Sequence, residues 1–182
     1  MAPGETPASE PSSAEPRPGR HGAFADELEK VGGRVIPTTS ANVSRAIVEF
    51  LRGRGLNQVQ VAPGVVDERL LTERGITAHA GLDPLTSVGI TWAICGIADT
   101  GSVVVVDGPG EPLQASLVPE IHVAIVSNAR VVPTLSDALS MPEVREAAAA
   151  VVITGPSRTG DIEMTHTIGV HGPRELIVFL VE

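Results

Sequence analysis

Apolar residues recur in the first half of the chain with the spacing of amphipathic helices and strands. Between Ser40 and Gly53 they follow the i, i+3, i+4, i+7, i+8 pattern of one helix face. The apolar positions are Val43, Ala46, Ile47, Phe50 and Leu51. The pattern predicts a helix that Ser40 caps and that Gly53 or Gly55 ends. Residues 57–62 predict a strand with Val59 and Val61 on one face, and residues 65–74 predict a second helix closed by Gly75.

The rest of the chain is richer in β-branched residues, which are typical of strands. Strands are predicted over residues 88–98, 102–107, 121–127, 151–154 and 175–181. Four consecutive valines, 103–106, predict a strand covered on both faces, as in a central or parallel position. Residues 134–150 predict a helix, with a break near Pro142 as an alternative, and Ser140 and Glu143 have the spacing of a capping box. This order of elements predicts an α/β domain of three layers, with helices on both sides of a sheet.

The length and the first residues predict one folded domain behind a leader. A chain of 182 residues has the usual size of a single domain. Five of the fifteen prolines fall within residues 1–22, so we expect a disordered leader over 1–22 and the α/β domain over 23–182. The leader has no apolar run of the kind a secretory signal needs. No stretch elsewhere approaches the roughly 20 apolar residues of a membrane span, so we expect a cytoplasmic protein.

The charge and the cysteine count narrow the functional classes. Lys and Arg number 13 against 22 Asp and Glu, which gives a net charge of −9, and aromatic residues make up 2% of the chain. Nucleic-acid binders need cations and stacking platforms, so we expect no nucleic-acid partner. Cys95 is the single cysteine. One thiol cannot supply the several thiolates of an iron–sulfur cluster or a zinc–thiolate site. Its apolar surroundings predict an inert, packed thiol.

Two candidate motifs fail on their chemistry. Residues 155–162 have the glycine spacing of a phosphate-binding P-loop, but Asp161 and Ile162 stand where Lys and Ser or Thr are needed, which argues against an NTPase. Candidate metal ligands are His79, His122, His166, His171, Asp161 and Glu163. On an extended segment Asp161 and Glu163 share a face while His166 points the other way. We therefore predict no metal site, and histidines that are exposed or structurally satisfied.

Three segments rich in Gly, Ser and Thr stand at the ends of predicted strands, over residues 89–91, 98–102 and 154–159. In α/β sheets, ligands bind outside the carboxyl ends of the strands. One interpretation is therefore a site for an anion or a phosphate-bearing ligand, to which Arg158 supplies a positive charge. The other interpretation is three ordinary turns, and Ser157 fits either a turn or a ligand donor. The first interpretation predicts that residues 99–102 and 155–161 share one hollow.

The same segments resemble a known family. The runs VGITWAICGIADTGSVVVVDGPG, LVPEIHVAIV, VVITGPSRTGDIEMTHTIGVHGP and ELIVFLVE are similar to the lactate-utilisation protein C (LutC, YkgG-type) family with its LUD domain. The resemblance covers residues 88–182. It implies a NagB/RpiA/CoA transferase-like fold and a role in oxidising L-lactate to pyruvate with partner subunits that bear iron–sulfur clusters. This chain would be the cluster-free subunit, and the resemblance leaves its own cofactor open.

The family's motifs also indicate site residues. The predicted binding residues are Thr91, Thr100, Gly101, Ser102, Gly155, Ser157, Arg158, Thr159, His171 and Gly172. We expect their hydroxyls and amides to hold an anionic substrate or a cofactor phosphate. Asp99, Asp161 and Glu163 are the predicted catalytic residues, for proton transfer or a ribose contact, although Asp99 and Asp161 could instead cap turns.

Two other functions stay open at this point. A stand-alone CoA-transferase-like or ligase-like enzyme would bind a phosphate-bearing small molecule, with Asp99 as the candidate covalent nucleophile. A regulatory or scaffold module is the third alternative, and the acidic composition offers nothing specific in its favour.

Overall fold

A sheet of six parallel strands forms the centre of the molecule. The computed structural model describes residues 19–81, 83, 86–108, 113–160, 166–168 and 172–182, with the backbone alone at 20–21, 158–160 and 166–168. In spatial order the strands are β1 (Arg34–Thr38), β12 (Glu175–Val181), β7 (Ile121–Ser127), β4 (Val88–Trp92), β2 (Gln58–Val61) and β3 (Thr77–His79). The last strand of the chain thus lies inside the sheet, between β1 and β7, as its apolar sequence predicts.

A second sheet holds the valine run. Its strands, in spatial order, are β8 (Val131–Val132), β5 (Cys95–Ile97), β6 (Ser102–Val106) and β9 (Ala150–Ile153). Val103, Val104 and Val105 are buried, so both faces of β6 are covered as predicted, but its neighbours β5 and β9 are antiparallel to it. The strand predicted over residues 88–98 is in fact two strands, one in each sheet. The chain crosses between Ala93, which donates to Ile125 O in the central sheet, and Ile94, which donates to Val104 O in the second.

Within the described residues, six helices surround the sheets: α1 (Arg20–Lys30), α2 (Val43–Gly53), α3 (Glu68–Glu73), α4 (Gln114–Leu117), α5 (Leu135–Leu139) and α6 (Pro142–Arg145). The predicted helix over 40–53 is confirmed, but it begins at Val43 because the Ser40 hydroxyl donates to Glu182 O instead of capping. The helix predicted over 134–150 is in fact two short helices interrupted at residues 140–141, so that Pro142 begins α6; α6 ends at Arg145, and Ala150 already belongs to β9. The capping box is formed by Thr134 and Asp137 rather than by Ser140 and Glu143. A 3-10 turn (Asn128–Arg130) and an antiparallel pair, β10 (Arg158–Gly160) and β11 (His166–Ile168), complete the described elements. None of the helices in the described ranges has the length and apolar content to cross a bilayer.

Three apolar clusters hold these layers together. Helices α2 and α3 pack on one face of the central sheet, with Ile47, Leu51 and Leu71 fully buried. On the other face, α1 inserts Phe24 and Leu28 between the central sheet and the second sheet. Helices α5 and α6 cover the outer face of the second sheet. The α/β architecture is therefore as predicted, but a sheet together with α1, rather than helices alone, covers one face of the central sheet.

Candidate functional site

A cavity of about 450 Å³ lies beside the carboxyl end of β9. Its lining residues are Val31, Ser116, Leu117, Val151, Val152, Ile153, Thr154, Gly155, Pro156, Ser157, Gly172 and Pro173. Val31 precedes β1, Ser116 and Leu117 precede β7, and Gly172 and Pro173 precede β12. The cavity thus lies at the amino edge of the central sheet, not at the carboxyl edge where the sequence reasoning placed it. Val31, Ser116 and Leu117 carried no sequence signal that marked them as cavity residues.

Close packing at two glycines shapes the cavity walls. Gly155 has φ +73°, and a Cβ atom there would lie 2.7 Å from Val31 O, so only glycine lets this loop approach the end of α1. At Gly172, where φ is +151°, a Cβ atom would lie 3.1 Å from the Cβ atom of Ser157. The Ser157 backbone N–H donates to Pro173 O at 2.8 Å. The loop after β9 and the segment before β12 are therefore tied together as two walls of one cavity.

A chain of three hydroxyl groups connects the cavity to the β5–β6 turn. Ser102 Oγ lies 2.7 Å from Thr100 Oγ1 and 2.7 Å from Thr154 Oγ1, and Ser102 is 1% exposed. Thr154 lines the cavity. Because each hydroxyl can donate one hydrogen and accept another, the chain can run in either direction. Thr154 can therefore offer a ligand either a hydrogen or a lone pair.

The structure separates the predicted binding residues into groups. Gly155, Ser157 and Gly172 line the cavity, and Ser102 is one hydrogen bond away from it. The β5–β6 turn approaches the loop after β9 through the Ser102–Thr154 bond, but the predicted hollow shared by residues 99–102 and 155–161 is not seen among the described residues, because none of residues 99–102 lines the cavity. Asp99 and Thr100 are exposed, and Gly101 packs against the backbone of Leu28.

Thr91 lies elsewhere, because residues 89–91 are part of β4 and not a loop as expected. The buried Thr91 hydroxyl lies 2.9 Å from His122 Nε2 on the neighbouring strand β7. Burial lowers the pKa of His122 to about 3, so its imidazole is neutral near pH 7. The sequence predicts histidines that are exposed or structurally satisfied, but His122 is buried and only one of its ring nitrogens has a partner within the described chain.

Apart from Asp99, the charged residues of the predicted site have no described side chains. Asp161, Glu163 and His171 lie outside the described residues, and Arg158 and Thr159 are described as backbone in β10. Their roles as proton-transfer and anion-binding groups stay predictions. Every described residue that lines the cavity is uncharged, so the polar chemistry available there comes from hydroxyl groups and backbone amides.

Cys95 and the histidines offer no ligand set within the described part of the chain. Cys95 is buried, and this burial raises the pKa of its thiol to about 11, so it stays protonated, in keeping with inert packing. No three His, Cys, Asp or Glu side chains among those described gather as a metal site would require. His79 Nδ1 lies 3.7 Å from Asp83 Oδ2, whereas the other candidate ligands on residues 161–171 have no described side chains.

Comparisons with known proteins point to one family. The sequence model described as the LUD domain matches residues 84–181. An uncharacterized protein of Neisseria meningitidis is 26% identical, over 87% of this chain and 75% of that protein. Lactate utilization protein C of Deinococcus radiodurans is 28% identical, over 87% of this chain and 77% of the relative. Lactate utilization protein C of Bacillus subtilis is 35% identical, over 52% of this chain and 42% of the relative.

A solved structure supports the fold. The crystal structure of a DUF162 family protein from Deinococcus radiodurans superposes with a TM-score of 0.70 at 21% sequence identity. The superposition covers 90% of this chain and 96% of that one. Both halves of the present chain, including the part before residue 84, therefore share the architecture of that structure.

Proposed function

This chain belongs to the LUD domain family, and from that premise we propose that it acts in lactate utilisation as a cluster-free subunit beside partners that bear iron–sulfur clusters. The relatives named lactate utilization protein C support the lactate role. The cysteine content supports this proposed division of labour, because one buried thiol with a raised pKa cannot replace the four thiolates that hold a cluster. Electrons from lactate would therefore pass through centres that other chains hold.

We propose further that the cavity beside β9 is the ligand site of this subunit, and its geometry is the observation that carries the proposal. A volume of about 450 Å³ falls within the range of about 300–1,000 Å³ that is usual for cofactor-sized ligands. L-lactate, a three-carbon acid, would fill only a small part of it. The volume favours a larger anionic ligand, such as a phosphate-bearing cofactor or an acyl-CoA, either alone or together with lactate.

The polar groups on the cavity wall suit such a ligand. The Ser157 hydroxyl and the Thr154 hydroxyl stand on the same loop, and hydrogen bonds to a charged partner contribute about 1.5–3 kcal/mol each. Because the Thr154 hydroxyl ends a reversible chain, it can donate to an oxyanion or accept from a substrate hydroxyl. In this proposal Arg158, which follows directly on Ser157, adds the positive charge that the described lining does not contain.

The stand-alone transferase is supported less well. Its candidate nucleophile, Asp99, is exposed on the turn between β5 and β6 and does not line the cavity. A covalent nucleophile needs a place beside a bound acyl group, and the cavity does not supply one next to Asp99.

A ligand screen on the purified chain tests the cavity assignment. L-lactate, pyruvate, nucleotides and acyl-CoAs are compared by thermal shift, since a ligand that binds only the native state raises its stability. We expect at least one phosphate-bearing anion to stabilise the wild type. Ser157→Ala keeps the backbone bond to Pro173 and should weaken binding about tenfold, whereas Ser136→Ala, on the exposed surface of α5, should not. Equal binding by Ser157→Ala would show that the ligand site lies elsewhere.

The biological role needs a separate test in a lactate-using host. Deletion of the gene should prevent growth on L-lactate as the carbon source, and the wild-type gene should restore it. An affinity-tagged chain should co-purify with proteins whose visible absorption reports iron–sulfur clusters. Normal growth of the deletion strain on L-lactate would overturn the proposed role, whatever the ligand screen gives.

A further inference from the structure

The second sheet ends at β9, and this edge lacks the features that usually keep a sheet edge from pairing. Proteins protect their edges with prolines, charged side chains or very short strands. At the edges of the central sheet, β1 contains Pro37 and β3 has three residues; at the far edge of the second sheet, β8 has two. Strand β9 has four residues, Ala-Val-Val-Ile, with neither a proline nor a charge. Among the edges that the structure describes in the two larger sheets, β9 is therefore the best suited to pair with another strand.

The hydrogen bonds around β9 show which of its backbone groups point to the outer edge. The Asp107 N–H donates to Ala149 O at 2.9 Å, and the antiparallel register of β6 and β9 sets these two residues opposite each other. Opposite residues of an antiparallel pair alternate between hydrogen-bonded and non-hydrogen-bonded pairs. The odd-numbered residues of β9 therefore bond to β6, whereas the N–H and C=O groups of Ala150 and Val152 point outward.

A second hydrogen bond supports this assignment. Val104 lies opposite Val152, and its carbonyl accepts from the Ile94 N–H on the side of β6 away from β9. Because the N–H and C=O of one strand residue point to the same side, Val104 does not bond to Val152. Within the described residues, no strand pairs with the outer edge of β9. The outward groups of Val152 are therefore available to a strand of another molecule.

We propose that β9 is a dimer interface, at which it pairs antiparallel with β9 of a second copy of this chain. Ala150 would lie opposite Val152 of the partner subunit, and Val152 opposite Ala150 of the partner subunit. Each outward N–H then meets an outward C=O, because both copies present the same alternation. The arrangement has the twofold symmetry of an isologous interface. It joins two four-stranded sheets into one continuous sheet.

The composition of the edge favours a second copy as the occupant. A chain with a net charge of −9 repels itself where acidic surfaces meet, but residues 147–157 carry no charge. A basic partner would find no carboxylate on this segment. Val152 is 40% exposed, and across the cavity Leu117 and its neighbour Val118 are 40% and 54% exposed. These side chains extend the apolar surface that a second copy would cover.

The dimer also bears on the cavity beside β9. Val151 and Val152 line that cavity, so a partner strand along β9 would add a wall to it. The dimer itself requires no ligand, so this proposal and the proposed ligand site can fail independently. A stable interface buries about 800 Å² on each partner, and a four-residue strand supplies only part of that area. We therefore expect a dissociation constant of about 1–100 μM.

Analytical ultracentrifugation of the whole chain, from about 1 μM to about 300 μM, measures the association. We expect the mass to rise from 18.8 kDa toward twice that value. Val152→Lys places a charge at the edge without removing a bond to β6, and it should weaken dimerisation at least about tenfold. Leu135→Lys is the matched control. Leu135 is 42% exposed on α5, which packs on β5 and β8 at the other side of the sheet, so this variant should associate like the wild type.

Amide hydrogen exchange identifies the surface that forms the dimer. The N–H groups of Ala150 and Val152 should exchange at least about tenfold more slowly at the highest concentration than at the lowest, because only the dimer pairs them. The N–H groups of Val151 and Ile153 bond to β6 in both states, so their exchange should not change. A dimer formed through another surface would leave all four amides unaffected by concentration.

Three results would overturn the proposal. A mass of 18.8 kDa at every concentration would exclude the dimer. Association of Val152→Lys with the strength of the wild type would exclude β9 as its interface. So would exchange at Ala150 and Val152 that does not depend on concentration. The first and third results need no variant, so the proposal stays testable even if Val152→Lys does not fold.

Discussion

Replacing Gly89 with alanine tests the packing of α4 on the central sheet. The new methyl group would lie 1.7 Å from Ala115 O and 2.7 Å from the carbonyl carbon of Ala115. To reach an ordinary contact of about 3.4 Å, the carbonyl oxygen would have to retreat by about 1.7 Å. Overpacking costs about 1–3 kcal/mol, and here the obstacle is backbone, which cannot rotate away as a side chain can. We therefore expect the free energy of unfolding to fall by about 3 kcal/mol.

Urea unfolding measures this loss, followed by circular dichroism and by the fluorescence of Trp92, the single tryptophan. In thermal unfolding, a loss of this size should lower the midpoint temperature of Gly89→Ala by about 6–12 °C for a chain of this length. Gly53→Ala is the matched control, because a Cβ atom there meets nothing within 4 Å and alanine favours the end of α2. Ser116, which follows the displaced Ala115, lines the cavity beside β9. Gly89→Ala should therefore also weaken the binding of any ligand in that cavity. A loss of stability no larger than that of Gly53→Ala would refute the described packing of α4.

Three other predictions concern single side chains. The pKa of His122 falls to about 3 on folding, from about 6.5 in the unfolded chain. The contribution of His122 to the free energy of unfolding is therefore complete above pH 6.5 and decreases as the pH falls toward 3. In urea unfolding, the free energy of unfolding of the wild type should fall by about 2 kcal/mol more between pH 7 and pH 5 than that of His122→Phe. The thiolate fraction of Cys95 at pH 8 should be about a thousandth, from its pKa of about 11, so Ellman's reagent should label the native chain slowly and the urea-unfolded chain at once. Ser102→Ala breaks the bonds to Thr100 and Thr154 and should lower the free energy of unfolding by about 1–2 kcal/mol, whereas an unchanged urea midpoint would mean that the hydroxyl chain is not formed in solution.

The elements with strong periodicity were predictable, and the sheet to which a strand belongs was not. The spacing of apolar residues correctly predicts α2 and the position of β12 inside a sheet. The same reasoning merges β4 and β5 into one strand, because the change of sheet at Ala93 and Ile94 is made by long-range hydrogen bonds to Ile125 and Val104. The spacing of apolar residues indicates only which faces of a strand or helix are buried. It carries no information on strand direction, so the antiparallel neighbours of β6 could not be predicted from it.

The site shows the same limit. The sequence marked Gly155, Ser157 and Gly172, which do line the cavity, because glycine and hydroxyl residues at strand ends are local signals. It did not mark Val31 or Ser116, which reach the cavity only through tertiary packing. Nor could it reveal which backbone groups of β9 point to the outer edge, since that depends on the register of β9 with β6.

The boundary of the family match has a practical consequence for anyone who wants to produce the domain. The match begins at residue 84, yet β1, β2 and β3, which form both outer edges of the central sheet, all come before it. A fragment trimmed to the match would lose α2 and α3, leave the aliphatic side chains of β4, β7 and β12 open to solvent, and turn β4 and β12 into bare edges that invite aggregation. Expressed fragments should therefore start no later than Gly19, since the part that the family model matches cannot cover its own interior.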